Sequence, residues 1–164
     1  DKVYLMPTYL PPHVDEKKTI SSEHRLAMLE LAVADNPCLD IEPIELIRKG
    51  KSYTYDTMKA LKEANPDTDY YFIIGGDMVE YLPKWHRIDD LLHLVQFVGI
   101  RRPNYPTEST YPIIWVDVPQ MAISSTLIRQ KVKSGCSIRY LLPENVINYI
   151  QEKGLYQDEL DNKL

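Results

Sequence analysis

Tyr70-Tyr71-Phe72-Ile73-Ile74-Gly75-Gly76-Asp77-Met78-Val79-Glu80-Tyr81-Leu82-Pro83-Lys84-Trp85 is the stretch whose reading decides the fold. Tyr70–Ile74 is an unbroken apolar and aromatic run, which predicts a strand buried on both faces, as in a parallel sheet under helices. Gly75-Gly76 then lets the backbone turn and lets a ligand approach without meeting a Cβ. Asp77 stands where a helix N-cap belongs, ahead of a short helix over Met78–Leu82. Pro83 is expected to end that helix, and Trp85 follows at once. Ligands of open α/β sheets bind beyond the carboxyl ends of the strands, so a buried strand delivering Gly-Gly-Asp and then Trp suits such a site. A plain strand-to-helix turn with Trp85 in the core fits the same residues.

Outward from this stretch, strands and helices alternate. Upstream, Val3–Met6 reads as a buried strand stopped by Pro7. Tyr9-Leu10-Pro11-Pro12-His13 reads as a stiff loop, because each proline fixes φ, and Asp15–Thr19 as a charged, mobile stretch. Ser21 or Ser22 can cap a helix to about Ala34, with Leu26, Leu29 and Val33 on one face. Leu39–Leu46 mixes apolar and acidic residues as a strand with one wet side would. Thr54 can cap a helix whose apolar face is Tyr55, Met58 and Leu61, ending before Asn65-Pro66. Downstream, Asp89-Asp90 head a helix over Leu91–Val95, and Phe97–Ile100 and Ile113–Val118 are strands. Ile123–Arg129 opens a helix that ends at Gly135. Pro143 opens the last helix, with Val146, Ile147 and Ile150 inside and Gly154 closing it. This alternation predicts one α/β domain over residues 1–164 with a mainly parallel sheet.

The bulk properties narrow the function. A chain of 164 residues with net charge −5 has no basic stripe to hold nucleic acid. No apolar run approaches the ~18 residues of a membrane span, so neither nucleic acid nor membrane is an expected partner. Cys38 and Cys136 have no CxxC neighbours and read as reduced thiols of a cytoplasmic protein. His13, His24, His86 and His93 show no metal-ligand spacing, so no metal-ligating set is expected. The oligomeric state is left open, a homo-oligomer included.

Two segments could carry chemistry. Ile123-Ser124-Ser125-Thr126-Leu127-Ile128-Arg129 places hydroxyls and free N–H groups at a helix start, a ready anion site. Arg129 lies one turn on and can aim its fork of donors at the same place. A phosphate fits there; so does a simple Ser/Thr cap with a surface arginine. Arg101 and Arg102, just after a strand, add slightly to the phosphate reading. Trp85-His86 offers an aromatic face on which a planar heterocycle could stack; core packing for Trp85 and a surface position for His86 are the alternatives. No Ser-His-Asp or Cys-His pair is evident. An enzyme of this kind would work by positioning and charge stabilisation, as phosphoryl and nucleotidyl transfers do.

Taken together, Ser52-Tyr53-Thr54-Tyr55-Asp56-Thr57, Phe72–Met78 with Leu82-Pro83-Lys84-Trp85, Ile123–Arg129, Tyr140-Leu141-Leu142-Pro143 and Tyr149-Ile150 through Gly154-Leu155-Tyr156 resemble bacterial nicotinate-nucleotide adenylyltransferases over nearly the whole chain. The resemblance implies a Rossmann-like nucleotidyltransferase fold with helices on both faces of the sheet. It implies adenylyl transfer from ATP to nicotinate mononucleotide, with magnesium, giving nicotinate adenine dinucleotide and pyrophosphate. By the same resemblance, Trp85 stacks on the pyridine ring, and Thr54 with the backbone near Tyr55 and His86 receives its carboxylate. Gly75, Gly76 and Asp77 line the nucleotide cleft, with Asp77 on a ribose hydroxyl. Ile123, Ser124, Ser125 and Arg129 hold ATP, Arg129 as the catalytic cation.

There are two departures. Position 86 is commonly Tyr in that family, whereas this chain has His86. The family's Gly-Gly-Thr-Phe-Asp-Pro loop and His-x-Gly-His pair have no counterpart between Asp1 and Leu164. A strand, loop and helix of about 30 residues is therefore expected to be missing before Asp1, and the 164 residues alone are expected to be poorly soluble and inactive. Two other functions remain in view: another adenylyl- or cytidylyltransferase of the superfamily, or a non-catalytic nucleotide-binding fragment or regulatory domain.

Overall fold

The computed structural model describes residues 1–10, 20–101, 105 and 108–157. The Pro11-Pro12-His13 loop, the stretch 15–19 and Arg102 lie outside the described residues. In chain order the elements are β1 (Val3–Leu5), α1 (Ser22–Val33), β2 (Leu39–Ile41), α2 (Ile44–Arg48), α3 (Thr54–Ala64), β3 (Tyr70–Gly75), α4 (Gly76–Val79), α5 (Ile88–Leu91), β4 (Val95–Ile100), β5 (Ile113–Val116), α6 (Ser125–Lys133) and α7 (Glu144–Glu152). A single 3₁₀ turn, Leu82–Lys84, lies between α4 and α5. All strand pairs are parallel, so the expected α/β class with parallel sheets is what the chain forms. Two compact units are distinguished: Lys51–Met121, and Asp1–Gly50 with Ala122–Leu164.

The unit Lys51–Met121 is built on the sheet β3-β4-β5. Phe72 sits beside Phe97, and Phe97 beside Ile113. On this face Tyr70, Phe72, Ile74, Val95, Phe97 and Trp115 meet Tyr55 and Met58 of α3 and Ile88 and Leu91 of α5. Tyr55 and Met58 are buried, as the apolar spacing of α3 requires. Gly99 is where the sheet is tightest. A Cβ there would lie 2.7 Å from Ile113 Cγ2 and 2.8 Å from the Trp115 ring, so only glycine lets β5's side chains lie over β4.

The expectation that β3 is buried on both faces is not met. Tyr71 is 56% and Ile73 52% exposed, while Ile74 is buried; Ile114 and Val116 of β5 are exposed on the same alternation. Successive side chains of a strand point to opposite faces. An unbroken apolar run therefore makes both faces apolar without specifying that both are covered. The turn after β3 also differs. Gly75 is the N-cap, with φ −73° and ψ 153°, and makes no side-chain cap bond. Asp77 is thus not the cap; it lies inside the first turn, where its charge still suits the helix dipole. α4 ends at Val79, and Pro83 lies inside the 3₁₀ turn instead of terminating a helix, because the first turn of a helix needs no proline N–H. The helix carrying Asp89 and Asp90 begins at Ile88, and Val95 belongs to β4.

In the other unit, β1 pairs with β2, Val3 beside Leu39, and Lys2 forms an ion pair with Asp40 at 2.8 Å. β1 is exposed at Val3 and Tyr4 rather than buried; its apolar residues mark only what it could bury. The strand expected to run to Leu46 stops at Ile41. Pro43 becomes the N-cap of α2, and Glu42 Oε1 accepts from Ile44 N–H at 3.0 Å, so a local side-chain bond starts a helix there. Ser21 caps α1, its hydroxyl accepting from His24 N–H at 3.4 Å. α1 packs Met28 and Leu31 on this unit's core, and Leu26, Leu29 and Val33 are likewise partly buried. The core it joins contains Ile128 of α6, Val146 and Ile150 of α7, and Ile20, Ile138 and Leu155. Asn145 donates to the Leu31 carbonyl at 2.6 Å, and His24 shares a 2.8 Å hydrogen bond with the Tyr149 hydroxyl, which fastens α7 to α1.

Candidate functional site

The candidate residues fall into two groups, one in each unit. In Lys51–Met121, the first group gathers at the carboxyl end of β3 and the start of α3. Thr54 is the first residue of α3; the N-cap is Tyr53, which makes no side-chain cap bond. The expectation that Thr54 caps the helix is thus corrected by one position. α3's first N–H groups receive no side-chain cap from Tyr53. A helix start with open donors attracts an anion.

The rings next to Thr54 form a continuous aromatic wall. The His86 imidazole lies 4.6 Å from the Tyr53 ring and 6.4 Å from the Tyr55 ring, one on each side of Thr54 in sequence. The Arg87 guanidinium lies 4.2 Å over Tyr55, and the Lys51 ammonium 5.5 Å over Tyr53. Arg87 has φ 54°, in the left-handed region, and its side chain pairs with Asp90 at 2.7 Å. Tyr53, Lys51 and Arg87 escaped the sequence reading: a left-handed arginine and cation–π contacts leave no pattern in spacing or composition. Only the run Ser52–Thr57 hinted at Tyr53.

Trp85 packs as its core alternative expects. Its indole is half-buried and meets Phe72 and Phe97 edge-on, each at 5.9 Å. Its Nε1 is buried and has no hydrogen-bond partner. The indole is thus part of this unit's core while keeping some surface exposed. Gly75 ends β3 and Gly76 begins α4, Gly76 buried and Gly75 partly so. Neither uses a positive φ; what they contribute at the end of β3 is the absence of a side chain.

The second group lies in the other unit, at the start of α6. Ser124 is the N-cap, its hydroxyl accepting from Leu127 N–H at 3.2 Å, and Ser125 is the first helical residue. Ile123, Ser124, Ser125 and Arg129 are all exposed. Arg129 Nη2 donates to Thr126 Oγ1 at 3.3 Å, which draws the guanidinium back toward the helix start. Arg129 thus lies beside the first turn of α6. Arg101 instead reaches Asp117 at 2.9 Å, so its charge is already engaged. Among the described residues, no group of three or more His, Cys, Asp and Glu side chains could hold a metal ion.

Comparison with known proteins fits this geometry. Residues 1–131 match the family described as cytidylyltransferase-like. All 164 residues are 99% identical to a probable nicotinate-nucleotide adenylyltransferase of Enterococcus faecalis and span 75% of its length. The chain belongs to the nicotinate-nucleotide adenylyltransferase family. A Streptococcus mutans protein of the same description is 60% identical over 157 residues, again with 75% of its length covered. Two solved structures of Plasmodium falciparum nicotinic acid mononucleotide adenylyltransferase share the fold. The one complexed with NaAD has a TM-score of 0.75 at 18% identity, covering 97% of this chain and 84% of that one. The one complexed with APC has a TM-score of 0.74 at 17% identity with the same coverage.

Proposed function

We propose that this protein transfers the adenylyl group of ATP to nicotinate mononucleotide, a step of NAD synthesis. Membership of the nicotinate-nucleotide adenylyltransferase family, at 99% identity over the whole chain, is the observation that carries this reading. A phosphate oxygen of the mononucleotide attacks the α-phosphorus of ATP in line. The bond from Pα to the bridging oxygen breaks, and pyrophosphate leaves. One phosphoanhydride is made and one is broken, so the catalyst has charge to hold and atoms to align, and little covalent work to do.

Each group of residues suits a part of that chemistry. Half-exposed Trp85 offers a stacking surface for the pyridine ring. Thr54 and the open N–H groups of α3 offer donors for its carboxylate. Gly75 and Gly76 leave room for a nucleotide, and Asp77 supplies a carboxylate for a ribose hydroxyl. Ser124, Ser125 and Arg129 suit the polyphosphate, Arg129 stabilising charge that grows as pyrophosphate departs. Magnesium would ride on the ATP phosphates: Mg²⁺ keeps most of its waters and is commonly held through substrate oxygens rather than a protein cage. No residue here is assigned to it.

Unpaired, exposed Cys38 and Cys136 suit a reducing, cytoplasmic setting. Among the described residues no helix is long and apolar enough to cross a membrane. The test is a substrate matrix on the full-length protein: ATP or CTP against nicotinate or nicotinamide mononucleotide, with pyrophosphate followed. Release should require a mononucleotide and be fastest with ATP and the nicotinate form. Preference for CTP, or pyrophosphate release independent of the mononucleotide, would replace this reading with another transferase or a hydrolase.

A further inference from the structure

His86 is exposed, belongs to neither hydrophobic core and pairs with no carboxylate among the described residues. Its place is nonetheless fixed. The Trp85 N–H donates to the Leu82 carbonyl at 2.9 Å, and the Arg87 carbonyl accepts from the Leu91 N–H at 2.9 Å, so the backbone is held on both sides of it. The imidazole lies 4.6 Å from the Tyr53 ring, tilted by 40°, and meets the Tyr55 ring edge-on at 6.4 Å. Those two tyrosines flank Thr54, the first residue of α3. The imidazole therefore stands against the start of a helix that has no side-chain cap.

The charges around this ring are few. The Lys51 ammonium lies 5.5 Å over Tyr53, and the Arg87 guanidinium 4.2 Å over Tyr55. Asp90 of α5 bonds to Arg87 at 2.7 Å, and Asp56 of α3 acts on the same guanidinium. Lysine, arginine and aspartate keep one charge from about pH 5.5 to 8.5, and tyrosine stays neutral there; histidine is the side chain whose charge changes in that span. The field at the start of α3 thus has a constant part and a part carried by His86.

We propose that His86 is a specificity-determining residue, whose charged imidazole favours a mononucleotide with a carboxylate on its ring over one with a carboxamide. A carboxylate seated at the open N–H groups of α3 gains attraction from a neighbouring imidazolium, and a neutral carboxamide of the same shape does not. Once protonated, the ring also offers a donor at each nitrogen. As pH rises the proton is lost, the helix start is left to act without that charge, and discrimination falls. The inference rests on the proposed adenylyl transfer, which seats the pyridine ring at Trp85 and its carboxylate at Thr54.

The test uses the full-length protein, unchanged and with His86→Gln, His86→Tyr or His86→Lys. kcat/KM for nicotinate and for nicotinamide mononucleotide is measured from about pH 5.5 to 8.5, and the ratio of the two is followed beside thermal unfolding. Both substrates carry a phosphate that titrates at about pH 6, and the ratio cancels it. Opposite charges about 4 Å apart in water attract by about 1 kcal/mol, so the wild-type ratio should fall about fivefold across this range. His86→Gln and His86→Tyr should hold the ratio flat at its alkaline value, the tyrosine keeping a ring against Tyr53 without the charge. His86→Lys should hold it flat and higher, because the ammonium stays charged. A flat ratio in the unchanged protein overturns the proposal. A ratio that still titrates in His86→Gln overturns it too, since another group then carries the charge. Equal losses for both mononucleotides with a lowered Tm, at an unchanged ratio, likewise overturn it and make the ring a packing residue. Full-length protein that releases no pyrophosphate with either mononucleotide refutes the adenylyl-transfer reading instead. Calorimetric binding of the two mononucleotides over the same pH range then supplies the ratio and decides the role of His86 separately.

Discussion

Replacing Trp85 by alanine perturbs both the core packing the structure shows and the ring stacking proposed for this side chain. Edge-to-face pairs such as those with Phe72 and Phe97 are each worth about 0.5–1.5 kcal/mol beyond area burial. Adding the apolar area of a half-buried indole at about 25 cal/mol per Å² brings the loss of stability to roughly 2–4 kcal/mol. For a chain of this size that lowers Tm by roughly 4–16 °C. The half-exposed face contributes separately to binding: a stacked base is worth roughly 1–3 kcal/mol in nucleic-acid complexes. Nicotinate mononucleotide should therefore bind about ten- to a hundredfold more weakly, with ATP affected far less. Trp85→Leu distinguishes the two effects. It refills much of the core volume, so Tm should recover, yet it offers no ring, so the mononucleotide should stay weak. The assay is calorimetric titration of each substrate beside thermal unfolding. If Trp85→Leu restores mononucleotide affinity along with Tm, stacking is refuted and the indole is a core residue alone.

Other perturbations follow from the same geometry. Arg129→Ala should lower kcat/KM with little change in Tm, because the side chain is exposed, and Arg129→Lys should fall short of wild type for want of the bidentate fork; wild-type kinetics in both variants would remove Arg129 from the site. Gly99→Ala should cost about 1–3 kcal/mol by overpacking against Ile113 and Trp115, read as a lower urea midpoint, and an unchanged midpoint would show that β5 yields easily. The pKa of Tyr156 is raised above its ordinary value of 10.0, chiefly by burial. The unfolded chain then loses this proton at a lower pH than the folded one. The contribution is fully present below about pH 10 and is lost as pH rises through the folded pKa. Tyr156→Phe should flatten that part of the stability–pH curve measured by denaturant titration; an identical alkaline slope would mean the hydroxyl is not desolvated.

The sequence marked the parallel α/β architecture through the run Tyr70–Ile74 and the alternation around it, because apolar periodicity reports which side chains can be buried. It did not report how many faces are covered, hence the exposed Tyr71 and Ile73. Helix starts were legible where a hydroxyl makes the cap, as at Ser21 and Ser124. They were misplaced where the backbone alone starts the helix, as at Gly75 and Tyr53. The short helix α2 was invisible because the bond that nucleates it, from Ile44 N–H to Glu42, competes with a strand-like composition. The candidate residues themselves were legible as a family pattern. Their supporting contacts were not: the tilted contact of His86 with Tyr53 and the left-handed Arg87 are products of tertiary folding and leave no local signature.

Labelled ATP decides which bond is broken. With ³²P in the α-position, the full-length protein incubated with nicotinate mononucleotide and magnesium should place the label in nicotinate adenine dinucleotide. With ³²P in the γ-position, the label should appear only in pyrophosphate. Label from the γ-position in the nucleotide product, or α-label recovered as free AMP whether or not the mononucleotide is present, would show that the enzyme transfers a phosphoryl group or hydrolyses ATP and does not transfer an adenylyl group.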